Sequence, residues 1–237
     1  MNFSRFHTAV QDKSTVSYDA GLRNYMIQVY NYMFFGLTIT AIVAFVVGNS
    51  EQLLYAIHGT ALKYLVMFAP LIIVIALGAK ISTLSLSAAK TVFWVFAASM
   101  GLSLSYIFAA YTGASIARCF FIASSMFGFM SLYGYTTKKD LTSMGSFLMM
   151  GVIGLIVLSI VNIFLKSSGM HFVISLAAIA IFVGLTAYDT QKIKQCYFSL
   201  GGTSDVAKKA GLMGALSLYI DFINIFIHLL ALIGDRR

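Results

Sequence analysis

The chain has 237 residues, 59% of them hydrophobic and only 10% charged, with a formal net charge of +8. A soluble domain carries about 25% charged residues, so this composition excludes an ordinary soluble protein and indicates a polytopic membrane protein. The basic residues are spread among the loops and form no patch, which argues against nucleic-acid binding.

Residues 1–22 are polar and mixed in charge and read as a cytoplasmic amino-terminal arm; residues 23–237 read as one transmembrane domain. The first apolar run is too long for a signal-peptide core, so no cleavable leader is expected and the first span serves as its own insertion signal. That span runs from about Tyr25 to Gly48. The second runs from Leu62 to Ile81 and contains Pro70, the single proline, which predicts a kink. The third runs from Thr91 to Tyr111. Ala97, Gly101, Ser105 and Ala109 recur along it at every fourth position, a small-residue ridge that lets another helix approach closely. Further spans are expected over Ile116–Tyr135, Met144–Leu165 and Phe172–Asp189, then a long loop over 190–209, then a last segment from Leu212 to Ile233. Each approaches or exceeds the ~20 residues needed to cross a bilayer.

Charge sets the orientation. Eleven Lys or Arg fall in the arm and the even-numbered connections, against three (Lys63, Arg118, Lys166) in the others, which predicts a cytoplasmic amino terminus. The tail with Arg236 and Arg237 conflicts with that rule if the last segment spans fully. A re-entrant last segment would avoid the conflict, but a full central span is favoured.

The last segment is apolar, yet it carries Ser217, Asp221, Asn224 and His228 on one helical face. Asp189 ends the preceding run. A carboxylate at the bilayer centre costs roughly 2.5–3.5 kcal/mol, and two of the chain's eight acids fall in these segments. Meeting in a dry interior, they could not both ionise cheaply and would share one proton. Such a pair is a proton sensor, and when ionised it is a hard-oxygen site for Ca²⁺. Simpler roles stand beside these. Asp189 can cap its span next to Lys192. Asn162, Asn224 and His228 can serve as helix-packing groups, and Lys80 can reach for the headgroups. Cys119 and Cys196 fall near opposite ends of the topology and are not expected to pair. No metal-type Cys/His spacing and no catalytic motif occurs, so neither enzymatic activity nor a resident cofactor is expected. A two-aspartate intramembrane protease fits poorly, because Tyr219-Ile-Asp221 lacks the glycines of the second motif of those enzymes.

Three stretches carry a resemblance: Gly134-Tyr-Thr-Thr-Lys-Lys-Asp-Leu-Thr-Ser-Met-Gly-Ser-Phe147, Val183-Gly-Leu-Thr-Ala-Tyr-Asp-Thr-Gln-Lys-Ile-Lys194 and Ala215-Leu-Ser-Leu-Tyr-Ile-Asp-Phe-Ile-Asn-Ile-Phe226. From Arg23 to Gly234 the chain resembles the Bax inhibitor-1 (transmembrane Bax inhibitor motif) family, in particular its bacterial branch. The resemblance implies an all-α membrane protein with six transmembrane helices around a central carboxy-terminal one, in a bacterial inner membrane. It implies a pH-sensitive Ca²⁺ leak with Asp189 and Asp221 as the sensor. An arginine that latches onto the pair in a bacterial leak relative has Lys80 as its nearest counterpart here, and lysine lacks the bidentate fork. For other bacterial members it implies a non-catalytic partner of a membrane-anchored AAA protease, a stress-response role.

Overall fold

The computed structural model describes residues 3–202 and 204–237, with side chains from residue 20 onward. The side chains of most of the polar arm, including Arg5 and Lys13, lie outside the described residues. The described residues form nine helices: α1 (Phe3–Gly48), α2 (Glu51–His58), α3 (Leu62–Lys80), α4 (Leu86–Leu104), α5 (Tyr106–Ala110), α6 (Gly113–Thr136), α7 (Thr142–Leu165), α8 (Ser168–Ser199) and α9 (Asp205–Ile233). Five of them begin on a Ser or Thr whose hydroxyl accepts a first-turn N–H: Ser50, Ser85, Thr112, Ser167 and Ser204. Such caps satisfy donors that the helix itself leaves open and contribute about 1 kcal/mol each.

Among the described residues, seven segments are long and apolar enough to cross a membrane. α9 is the most buried of them and packs against α1, α4, α6 and α8, four of the other six spans. α7 lies at the other extreme, packed mainly on α8 with Ile153, Ile156, Ile160 and Phe164 turned outward. Outward apolar side chains on fully hydrogen-bonded helices are what a hydrocarbon solvent requires.

The small-residue ridge meets α1. Thr40 Oγ1 donates to the Ala97 carbonyl at 2.8 Å, and a Cβ added to Gly101 would stand 2.7 Å from the Thr40 carbonyl oxygen. The α1 and α4 backbones therefore touch, running parallel. The ridge does not form one helix, however. The backbone turns at Ser105, where α4 gives way to α5, and the His58 ring bonds the Ser105 hydroxyl at 2.8 Å. α3 runs unbroken through the buried Pro70.

One sequence expectation is corrected. The loop expected over 190–209 is mostly helix: α8 continues to Ser199 and α9 starts at Asp205. Gln, Lys and Arg are good helix formers whatever their polarity, so the end of an apolar run does not end the helix. α9 is one unbroken helix long enough to cross fully, the alternative the sequence favoured, and the tail joins the α5–α6 turn. Thr112 N–H donates to the Asp235 carbonyl, Arg237 N–H donates to the Ala110 carbonyl, and Arg118 pairs with Asp235 at 2.9 Å. The ion pair is exposed and worth at most about 1 kcal/mol; the backbone bonds fix the geometry. With Cys119 and Cys196 replaced by serine, Arg236→Cys and Lys63→Cys should react with an impermeant maleimide from the same side of sealed vesicles, and Lys138→Cys from the other. Labelling of positions 236 and 138 from one side would contradict this topology.

Candidate functional site

The turn of α8 that carries Asp189 is gripped by glycines from three neighbours. A side chain on Gly134 of α6 would run into the Ala187 carbonyl, one on Gly145 of α7 into the Tyr188 ring, and one on Gly214 of α9 into Ile193. The helices therefore approach here almost backbone to backbone, which fixes the height of Asp189. Because Gly214 meets Ile193 across an antiparallel pair, Asp189 lies level with Ser217–Leu218. That is about one helical turn, ~5 Å, from the level of Asp221.

Asp221 is 3% exposed, and its Oδ2 has no hydrogen-bond donor in reach among the described residues. An acceptor left this way in a dry interior is costly unless it gains a proton, a water or a cation. Asp189 is half-buried on α8, the helix that packs most closely on α9. Neither acid belongs to the two ion pairs found among the described residues. Lys192 lines the same cavity as Asp189 but is exposed, with its amine 5.8 Å from the Tyr188 ring centre.

Two cavities flank Asp221 along α9. The first, about 250 Å³, runs from Asp189 and Ser217 past Ile193 and Met213 to Cys196 near the α8–α9 turn. The second, about 270 Å³, lies further along the helix between α7, α8 and α9, with Ser159, Asn224 and His228 in its wall. The His228 ring faces the Ser175 hydroxyl at 3.3 Å, and Asn224 donates to the Ile220 carbonyl of its own helix. The Ser217–Asp221–Asn224–His228 stripe thus faces α8 and α7.

Two of the sequence candidates stand apart. Asn162 accepts the Ser167 N–H and closes the end of α7, where Lys166 turns left-handed at φ 50°. Lys80 is exposed at the end of α3, which packs chiefly on α4, and its amine makes no ion pair with either acid. The contact from that corner comes instead from α9, where Lys209 Nζ reaches the Ser82 carbonyl at 3.3 Å.

The family model described as inhibitor of apoptosis-promoting Bax1 matches residues 22–237. The chain belongs to the Bax1-I family. Among relatives of this Bax1-I protein, an uncharacterized protein of Rickettsia prowazekii is 48% identical over 93% of each chain. The inner membrane protein YbhL of Escherichia coli is 43% identical, covering 94% of this chain and 97% of its own. An uncharacterized protein of Caulobacter vibrioides is 43% identical over 95% and 94% of the two chains.

In this Bax1-I protein several residues beside the acids escaped sequence reasoning. Thr190, next to Asp189, shares a hydrogen bond with Ser131, which in turn bonds the Tyr30 hydroxyl. Gln191 accepts the Leu141 N–H at 2.8 Å and donates to the Lys139 carbonyl at 2.7 Å; Lys194 donates to the Tyr135 carbonyl at 2.9 Å. Together they tie the polar end of α8 to the α6–α7 corner. Their signal lay in the Asp189-Thr-Gln-Lys-Ile-Lys run, which reads as loop only if the helix stops at the acid. Tyr219 is fully buried, and its hydroxyl meets Thr40 Oγ1 at 2.7 Å, joining the central helix to α1.

Proposed function

We propose that this Bax1-I membrane protein is a non-enzymatic cation leak, gated by protons at the Asp189–Asp221 pair, with its amino terminus on the cytoplasmic side of a bacterial inner membrane. The supporting observation is the buried Asp221, with one oxygen lacking a donor, standing between two cavities along the central helix. An acceptor in that position takes a proton or a passing cation, and the two compete for it. Ca²⁺ seeks six to eight oxygens. Two carboxylates and the Ser217 hydroxyl supply up to five, so water completes the shell and the ion is held weakly enough to leave. Lys192 at the rim of the first cavity lowers that affinity further.

Purified protein in liposomes enclosing a Ca²⁺-sensitive dye should admit Ca²⁺ at a rate that changes as the external pH is stepped through the neutral range. A rate equal to that of protein-free liposomes at every pH removes this reading.

A further inference from the structure

A groove of about 590 Å³ lies between α1 and α6, and neither acid lines it. Ile27, Phe127, Gly128 and Leu132 form its apolar walls. Ile27, Gly128 and Leu132 are exposed, so the groove opens onto lipid rather than onto another helix. Arg23 and Tyr135 line it as well, and both sit at the ends of their spans, in the first turn of Ala20–Gly48 and the last of Gly113–Thr136. That is headgroup height. A second cation joins them, because Lys194 Nζ bonds the Tyr135 carbonyl and lies 5.1 Å from the centre of its ring. The floor is closed by Tyr30 and its hydrogen bond to Ser131. Two cations at the interfacial end of an apolar trough match the layout of one class of molecule.

We infer that this groove holds an anionic phospholipid, with its phosphate between Arg23 and Lys194 and one acyl chain along Ile27, Gly128 and Leu132. Charge selects the anionic class. A basic side chain near the headgroups favours an anionic over a zwitterionic lipid by about fivefold, and an arginine presents its paired N–H groups to a phosphate. The inference is independent of the proposed leak.

Native mass spectrometry of the full-length protein, titrated with phosphatidylglycerol and with phosphatidylcholine, tests it. The wild type should retain one tightly held phosphatidylglycerol and prefer it over phosphatidylcholine by about twenty-five-fold, and Arg23→Gln should cut that preference about fivefold. Gly128→Leu should displace the held molecule of either lipid. A Cβ at Gly128 meets nothing within 4 Å, so this variant fills the groove without disturbing the helices. An unchanged preference in Arg23→Gln, or undiminished lipid retention in Gly128→Leu, overturns the assignment. Displacement of the lipid by an equal concentration of inorganic phosphate does so too, since the site would then recognise the free anion.

Discussion

Proteoliposomes carrying Asp221→Asn are expected to pass Ca²⁺ at a rate that no longer follows pH, and that falls about tenfold or more below the wild type where the wild type is fastest. The amide keeps the shape of the carboxylate but offers no negative charge and binds no proton in this range. Losing a charge-assisted contact of about 1.5 kcal/mol alone gives a factor of ten. Asp189→Asn should flatten the pH response as well. Because the two acids lie about one helical turn apart in level along the α8–α9 interface, the double variant should add little to either single one, as expected for residues that work as a unit. Asp140 supplies the control. It lies outside the spans, and the Thr142 hydroxyl at 2.6 Å and N–H at 2.9 Å hold its carboxyl below the usual carboxylate range. A depressed carboxyl contributes stability above its unfolded value and loses it only as pH falls through the lower folded value. Asp140 thus stays ionised throughout the neutral range, and Asp140→Asn should leave the response intact. A wild-type pH response in both Asp189→Asn and Asp221→Asn would remove the pair from the mechanism.

The second large effect is expected from one methyl group. Gly134→Ala places a Cβ against the backbone carbonyl of Ala187, where no side chain can swing aside. α6 and α8 must separate, and overpacking of this kind costs roughly 1–3 kcal/mol. The unfolding temperature in detergent should drop by several degrees, whereas Gly154→Ala, on the open face of α7 with nothing within 4 Å of the new atom, should hold or slightly raise it, since alanine favours a helix interior by about 0.5–1 kcal/mol. Equal unfolding temperatures for the two variants would mean that the helices do not approach as described. The lost height control at Asp189 should also appear as an altered leak at temperatures where the variant is still folded.

Much of this arrangement could be read from residue order, for identifiable reasons. Apolar length marked all seven spans, because a bilayer imposes that length directly. The spacing of Ala97, Gly101 and Ser105 announced a close helix contact, though not its partner, since no local pattern says that Thr40 and Val43 stand opposite. Asp221 stood out because an acid amid Leu216–Leu230 has no local explanation. The limits are equally physical. Hydropathy measures what lipid tolerates, whereas a helix persists as long as its backbone bonds do, and so α8 outran its apolar stretch by ten residues. Asn162 shared a face with polar neighbours yet ended as a cap, because the end of α7 was nearer than any ligand. Lys80 was the nearest cation in sequence to a latch, but α3 packs on α4 and carries it elsewhere.

The fastening of the carboxy terminus to the α5–α6 turn constrains how the central helix can move. Its far end is tied through Asp235 and Arg237, and its near end through Lys209 to Ser82 and through the Ala207 carbonyl to the Tyr25 hydroxyl. A rod pinned at both ends cannot act as a piston. Held this way, the helix can change around Asp221 only by flexing in its middle or by the displacement of a neighbour.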